Sequence, residues 1–106
     1  MALDLAAVRR RVADGHFSVR PHAMQHAVKE GFTVEQIVQT VMIGRVIEEY
    51  PDRSRCLLYA DINVEGVRLP LHVVCEYGPE DQPVDSVTAY IPSEEEWITP
   101  RRRRRR

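Results

Sequence analysis

Residues 55–77, RCLLYADINVEGVRLPLHVVCEY, hold two β-rich runs, Arg55 to Asn63 and Val67 to Tyr77, around Glu65-Gly66, a dipeptide suited to a tight hairpin turn. If Val64 pairs with Val67, opposed residue numbers sum to 131, which sets Cys56 against Cys75, Leu58 against Val73, Ala60 against Leu71 and Ile62 against Leu69. One face is then wholly apolar. The other pairs Arg55 with Glu76, Leu57 with Val74, Tyr59 with His72 and Asn63 with Arg68. Side chains alternate with period two, so a slip of one residue would push polar groups into the core or apolar ones into water; this register is therefore predicted.

Downstream, Val87, Ala89 and Ile91 alternate with Ser86, Thr88 and Tyr90 and predict a strand over Asp85–Ile91, after a loop from Gly78 to Pro83. Just upstream of the hairpin, Val46–Tyr50 predicts a short strand ended by Pro51-Asp52. Before that the period lengthens. Leu5, Val8 and Val12 recur at three and four between Asp4 and Gly15. Pro21 opens a second helix with Ala23 and Ala27 on one stripe, Met24 and Val28 beside it and Gly31 as the stop. Thr33 and Gln36 have capping-box spacing ahead of Val34, Ile37, Val38 and Val41, and Gly44 ends the pattern. Helices first and strands after predict an α+β domain, two or three N-terminal helices on one face of a three- to four-stranded antiparallel sheet. Tyr59, Arg68, His72, Thr88 and Tyr90 then share the face away from the helices. Arg9, Arg10 and Arg11 point in three directions and read as solvated surface.

The chain has 106 residues, 43% of them apolar, enough for one core, expected over residues 1–99 ahead of an Arg-rich tail, 100–106, that reads as a disordered end or an appendage. Fifteen Lys+Arg face sixteen Asp+Glu, but six of the fifteen form the run Arg101–Arg106; without it nine face sixteen, a charge of -7. That balance does not suggest a general nucleic-acid-binding surface and leaves phosphate contact to a local patch or to the tail. No stretch reaches the roughly 18 apolar residues of a membrane span, and the start MALDLAAVRRR places its basic cluster after a short apolar segment. A cytoplasmic protein without a membrane partner is expected.

Arg68 and His72 lie four apart on one strand, about 13 Å along it, too far to act on one atom but suited to two places on an extended chain such as RNA. His72 opposite Tyr59, with Tyr90 on a neighbouring strand, would set an imidazole and two phenols beside a phosphodiester. A histidine can take the proton of a ribose 2′-hydroxyl or give one to the leaving oxygen, and an arginine can stabilise the phosphorane charge, with no metal or cofactor. His22 and His26, four apart on a helix, would form half a metal site, but a third ligand would have to come from His72, Cys56 or Cys75, and the register turns both cysteines to the apolar face. One histidine packing at a helix–sheet junction and the other solvated is the plainer expectation. The cysteines are expected to be free buried thiols.

The segments HFSVRPHA (16–23), GFT running on to Ile37 (31–37), GRVIEEYP (44–51), LPLHVV (69–74) and VTAY (87–90) together resemble a small bacterial domain-of-unknown-function family, number 4258. The likeness spans about His16 to Trp97. Genes of that family commonly lie beside zinc-finger antitoxins of the MqsA type, and its helices-then-sheet layout is similar to the RelE/ParE toxins. The resemblance thus implies a toxin-like fold, a ribonuclease acting on mRNA, and an antitoxin protein as partner. Carried over by position, it singles out His22, His72 and Tyr90; at His26 and Lys29, where the family carries arginine, this chain departs from it. Residues and resemblance together predict a metal-independent endoribonuclease. In it His72 is acid or base, Arg68 the phosphate clamp, Tyr90 an orienting hydroxyl and His22 a second proton carrier. The alternative is a non-catalytic protein-binding module of the same fold, working through its acidic helices and an exposed strand edge.

Overall fold

The computed structural model describes residues 2–92, 97–99 and 102–103. Within them lie three helices, α1 (Leu5–Ala13), α2 (Pro21–Glu30) and α3 (Val34–Ile43), and seven strands, β1 (Phe17–Val19), β2 (Arg45–Tyr50), β3 (Arg55–Val64), β4 (Val67–Glu76), β5 (Val84–Tyr90), β6 (Trp97–Thr99) and β7 (Arg102–Arg103). The first five strands form one sheet in the order β1-β5-β4-β3-β2, and β6 and β7 pair separately. The architecture is α+β as predicted, with one strand more in the main sheet than expected. That strand is β1, which runs parallel to β5 from Phe17 opposite Val84 to Val19 opposite Ser86. The remainder of the predicted tail, residues 100–101 and 104–106, lies outside the described residues.

The hairpin register is the predicted one throughout, from Val64–Val67 at the turn to Arg55–Glu76 at the far end. Glu65 and Gly66 both take positive φ, 51° and 83°, the primed-turn conformation that matches strand twist. Pro70 sits beyond the last β4–β5 pair, His72–Tyr90, where its missing N–H costs no bond to β5. In β5 the predicted alternation holds only as far back as Thr88. A register shift between the partners of Val74 and Cys75 leaves Val87 as the extra residue, so Ser86 pairs with Cys75 and turns into the core, fully buried, instead of sharing a face with Thr88.

The apolar face packs under α1 and α3: Val8, Val12, Ile37 and Val41 meet Cys56, Leu58, Leu71, Val73 and Cys75. Each helix starts where its sequence signals it. Asp4 accepts the Ala7 N–H at 3.1 Å, and Thr33 and Gln36 complete a reciprocal capping box. Two of the three arginines of α1 are not the solvated surface their spacing suggested. Arg9 donates to the Val41 and Gly44 carbonyls at 2.9 and 2.7 Å, capping the end of α3. Arg11 binds the carbonyls of Tyr77, at 2.5 Å, and of Pro79 and Gln82, and so holds the loop before β5. Carbonyls left over at a helix end and in a tight loop need donors, and a guanidinium supplies several at once.

Candidate functional site

Helix α2 lies against β5 with Ala23 and Ala27 buried, and Gly31, in the left-handed conformation at φ 82°, ends it. Between the helix and the end of the strand runs an open groove of about 630 Å³. It is lined by His22, His26 and Lys29 on one side and by Thr88, Tyr90 and Ile91 on the other. His22, His26 and Glu30 follow at steps of four and so share one helical stripe. The two imidazoles meet edge to face, centroids 4.8 Å apart and planes at 80°. His26 Nδ1 is 2.5 Å from Glu30 Oε2, and Glu30 Oε1 accepts the Ile91 N–H at 2.9 Å. One carboxylate therefore ties the end of α2 to the end of β5 and holds a proton at Nδ1 of His26, leaving Nε2 as the ring's other proton position.

Of the four residues predicted for the site, His22 and Tyr90 line this groove together. His22 belongs to a helix, yet α2 sits beside β5 at the margin of the sheet, and its imidazole reaches the side that carries Thr88 and Tyr90. His72 is a correction. The ring expected to stand beside a phosphodiester is fully buried. It occupies the middle of a cross-strand row, with Tyr59 opposite it on β3 and Tyr90 on β5, and its centroid lies 6.0 and 5.4 Å from theirs. A ring without solvent exposure offers a substrate no contact. Arg68 stands apart from the groove. Its Nε and Nη2 each lie 3.2 Å from Asp61 Oδ2, and Asp61 Oδ1 accepts the Tyr59 hydroxyl at 2.7 Å. With the Arg68 side chain 79% exposed, this pair is mostly solvated and weakly held.

Glu30 is missing from the sequence reading, which offers His22 and His26 only His72, Cys56 or Cys75 as a companion. The third step of four along the same helix was the signal for it. A second polar cluster lies at the far end of the same sheet face. Arg20 pairs with Asp85 and, at 2.7 Å, with Glu76, whose other oxygen is 3.4 Å from Arg55, so β3, β4 and β5 are bridged to the residue ahead of α2. Here each cation is matched by a carboxylate, which makes the cluster a brace and not a phosphate site. Cys56 and Cys75 are free and buried; burial pushes the Cys56 thiol up to about 12 and that of Cys75 well above its usual value, so neither is a nucleophile. Among the described residues no group of three or more His, Cys, Asp or Glu is placed to hold a metal ion. Nor is any helix among them long and apolar enough to cross a membrane.

Fold and groove define a small α+β domain whose proton-carrying side chains gather where its second helix meets its fifth strand. The chain belongs to the family described as Domain of unknown function (DUF4258), whose model matches residues 19–99, from the end of β1 through β6. No curated protein and no solved structure matches it.

Proposed function

We propose that this chain is a metal-independent endoribonuclease of the toxin type, acting on mRNA and held in check by an antitoxin protein, with the α2–β5 groove as its active site. The observation that carries this reading is the pair of imidazoles at 4.8 Å, one of them oriented by a carboxylate, in an open groove that also holds Lys29. With Nδ1 committed to Glu30, His26 presents Nε2 to accept the proton of a ribose 2′-hydroxyl. The 2′-oxygen then attacks the adjacent phosphorus and the bond to the 5′-oxygen breaks. His22 gives its proton to that leaving oxygen, and Lys29 faces the charge that grows on the phosphorane. The products are a 2′,3′-cyclic phosphate and a 5′-hydroxyl end, with no oxidant or metal in the balance. Tyr90 keeps a place in the groove wall; His72 and Arg68 drop out of the chemistry.

Cleavage of a labelled RNA in the presence of EDTA tests this. Wild type is expected to cut, and His22→Ala or His26→Ala to lose about 10²-fold or more of the rate, the usual worth of a positioned acid or base. RNA left intact by folded wild-type protein would overturn the reading. It would favour the non-catalytic alternative, which one observation supports: Met24 and Val28, one turn apart on the side of α2 away from the groove, remain 39% and 82% exposed.

A further inference from the structure

We propose that His22 and His26 are a two-imidazole chelate for a late first-row divalent ion such as zinc, and that the bound ion shuts off the proton chemistry assigned to the same pair. The binding stands on these residues alone; the inhibition rests on the nuclease reading above. Spacing is the first argument. The two imidazoles lie four residues apart on α2, on one stripe, with ring centroids 4.8 Å apart. An ion about 2.0–2.1 Å from one nitrogen of each ring, with an angle of about 90–110° between them, sets the centroids about 4.5–5.2 Å apart. The helix therefore holds the rings at the separation a shared ion asks for. Planes at 80° are no obstacle, because a ring meets an ion with its edge, and His22 is exposed and can turn a nitrogen to it.

The second argument is the carboxylate behind His26. Glu30 Oε2, 2.5 Å from Nδ1, keeps the proton on that side and leaves the Nε2 lone pair for a ligand bond, the arrangement that orients metal-binding imidazoles and raises their basicity. Glu30 is itself fixed by the Ile91 N–H at 2.9 Å, and its charge offsets that of Lys29 in the same groove. Other nitrogen and sulfur donors are badly placed to compete. Cys56, Cys75 and His72 are buried, and His16 stands exposed outside the groove. Among the described residues no third His, Cys, Asp or Glu completes a set, so water fills the remaining positions of the ion. Imidazole ligands favour zinc, copper and nickel over magnesium and calcium. An ion held there occupies the Nε2 that would accept the 2′-proton and the ring that would give one to the leaving oxygen.

Calorimetric titration of the full, untagged chain with zinc chloride tests this, with magnesium chloride as the control. One zinc per chain is expected, and no magnesium. Glu30→Gln should weaken zinc binding about tenfold, the usual worth of a group that orients a ligand, and His22→Ala or His26→Ala at least as much. His16→Ala should change nothing. No zinc bound by wild type, or His22→Ala and His26→Ala proteins that melt like wild type and bind zinc undiminished, would overturn the proposal. RNA cleavage by the same preparation reads the second half: saturating zinc should slow it about tenfold or more, and excess EDTA should restore it. A rate that zinc leaves unchanged or raises would overturn the inhibition. Cleavage by a protein that binds no zinc sinks only the chelate, and zinc bound at the two histidines of a protein that never cuts RNA sinks only the nuclease.

Discussion

Cys56 and Cys75 face each other across β3 and β4 on the core side of the sheet, both without solvent exposure. Burial raises Cys56 from 9.0 to about 12 and Cys75 well above its usual value, so each is a neutral thiol over the whole physiological range. Two outcomes are expected. An alkylating reagent should leave both thiols unmodified in the native protein and label both in denaturant, as intact mass will report. A thiol whose pKa is raised on folding also stabilises the fold fully only below its unfolded value. As pH climbs from about 9 towards about 12, the unfolded chain sheds protons that the folded one keeps, and stability falls. Urea melts across that window should show the decline, and Cys56→Ala should flatten it in part. Cys75 and Tyr77, the latter also raised chiefly by burial, keep the rest. His72 shows what parity along a strand can and cannot tell. Alternation assigned it to the face away from the helices, where it is, but burial depends on neighbours distant in the chain, and even the tyrosines beside it are 13 and 18 residues away.

Among the elements, the passage from α3 into β2 is the tightest. Gly44 sits between them at φ -73°, so it is not there for a left-handed conformation. Space is the reason: a Cβ would stand 2.3 Å from the Thr40 carbonyl oxygen and 2.7 Å from that of Tyr59, both backbone atoms with nowhere to go. Gly44→Ala is expected to destabilise by about 1–3 kcal/mol, the cost of forced overpacking, and so to lower the melting temperature by several degrees or more in a thermal scan. Arg9→Met, which keeps the stem but removes both donors to the end of α3, should cost about 1–3 kcal/mol in the same measurement. The helices and the β3–β4 register were legible because their signals are local and repeated: capping residues, periods of three to four, and ten opposed pairs that all agree. The first strand was not. Three residues are too few to show a period, and β1 exists only because β5, 67 residues on, lends it an edge. The shift in β5 was equally hidden, since one extra residue leaves a plausible alternation on paper while turning Ser86 inward.

At the scale of the whole molecule, α1 lies outside the residues matched by the family, yet it is built into the fold: Val8 and Val12 are in the core, and Arg9 and Arg11 hold α3 and the loop before β5. The charge is divided just as unevenly along the chain, with six arginines at the end of a chain that otherwise carries -7. Groove and terminal run should therefore contribute to polynucleotide binding in different ways. A chain ending at residue 100 should bind both single strand and duplex more weakly at low salt. The slope of log affinity against log salt for the single strand should shrink by up to about 4, since each neutralised phosphate contributes about 0.7. Titrations of both forms at several salt concentrations separate the two contributions. If the shortened chain keeps the full slope, the cations that meet phosphate are in the groove and the arginines are bystanders. If it loses all binding with the slope, the affinity was carried by the terminal run, and the groove would have no part in holding the strand.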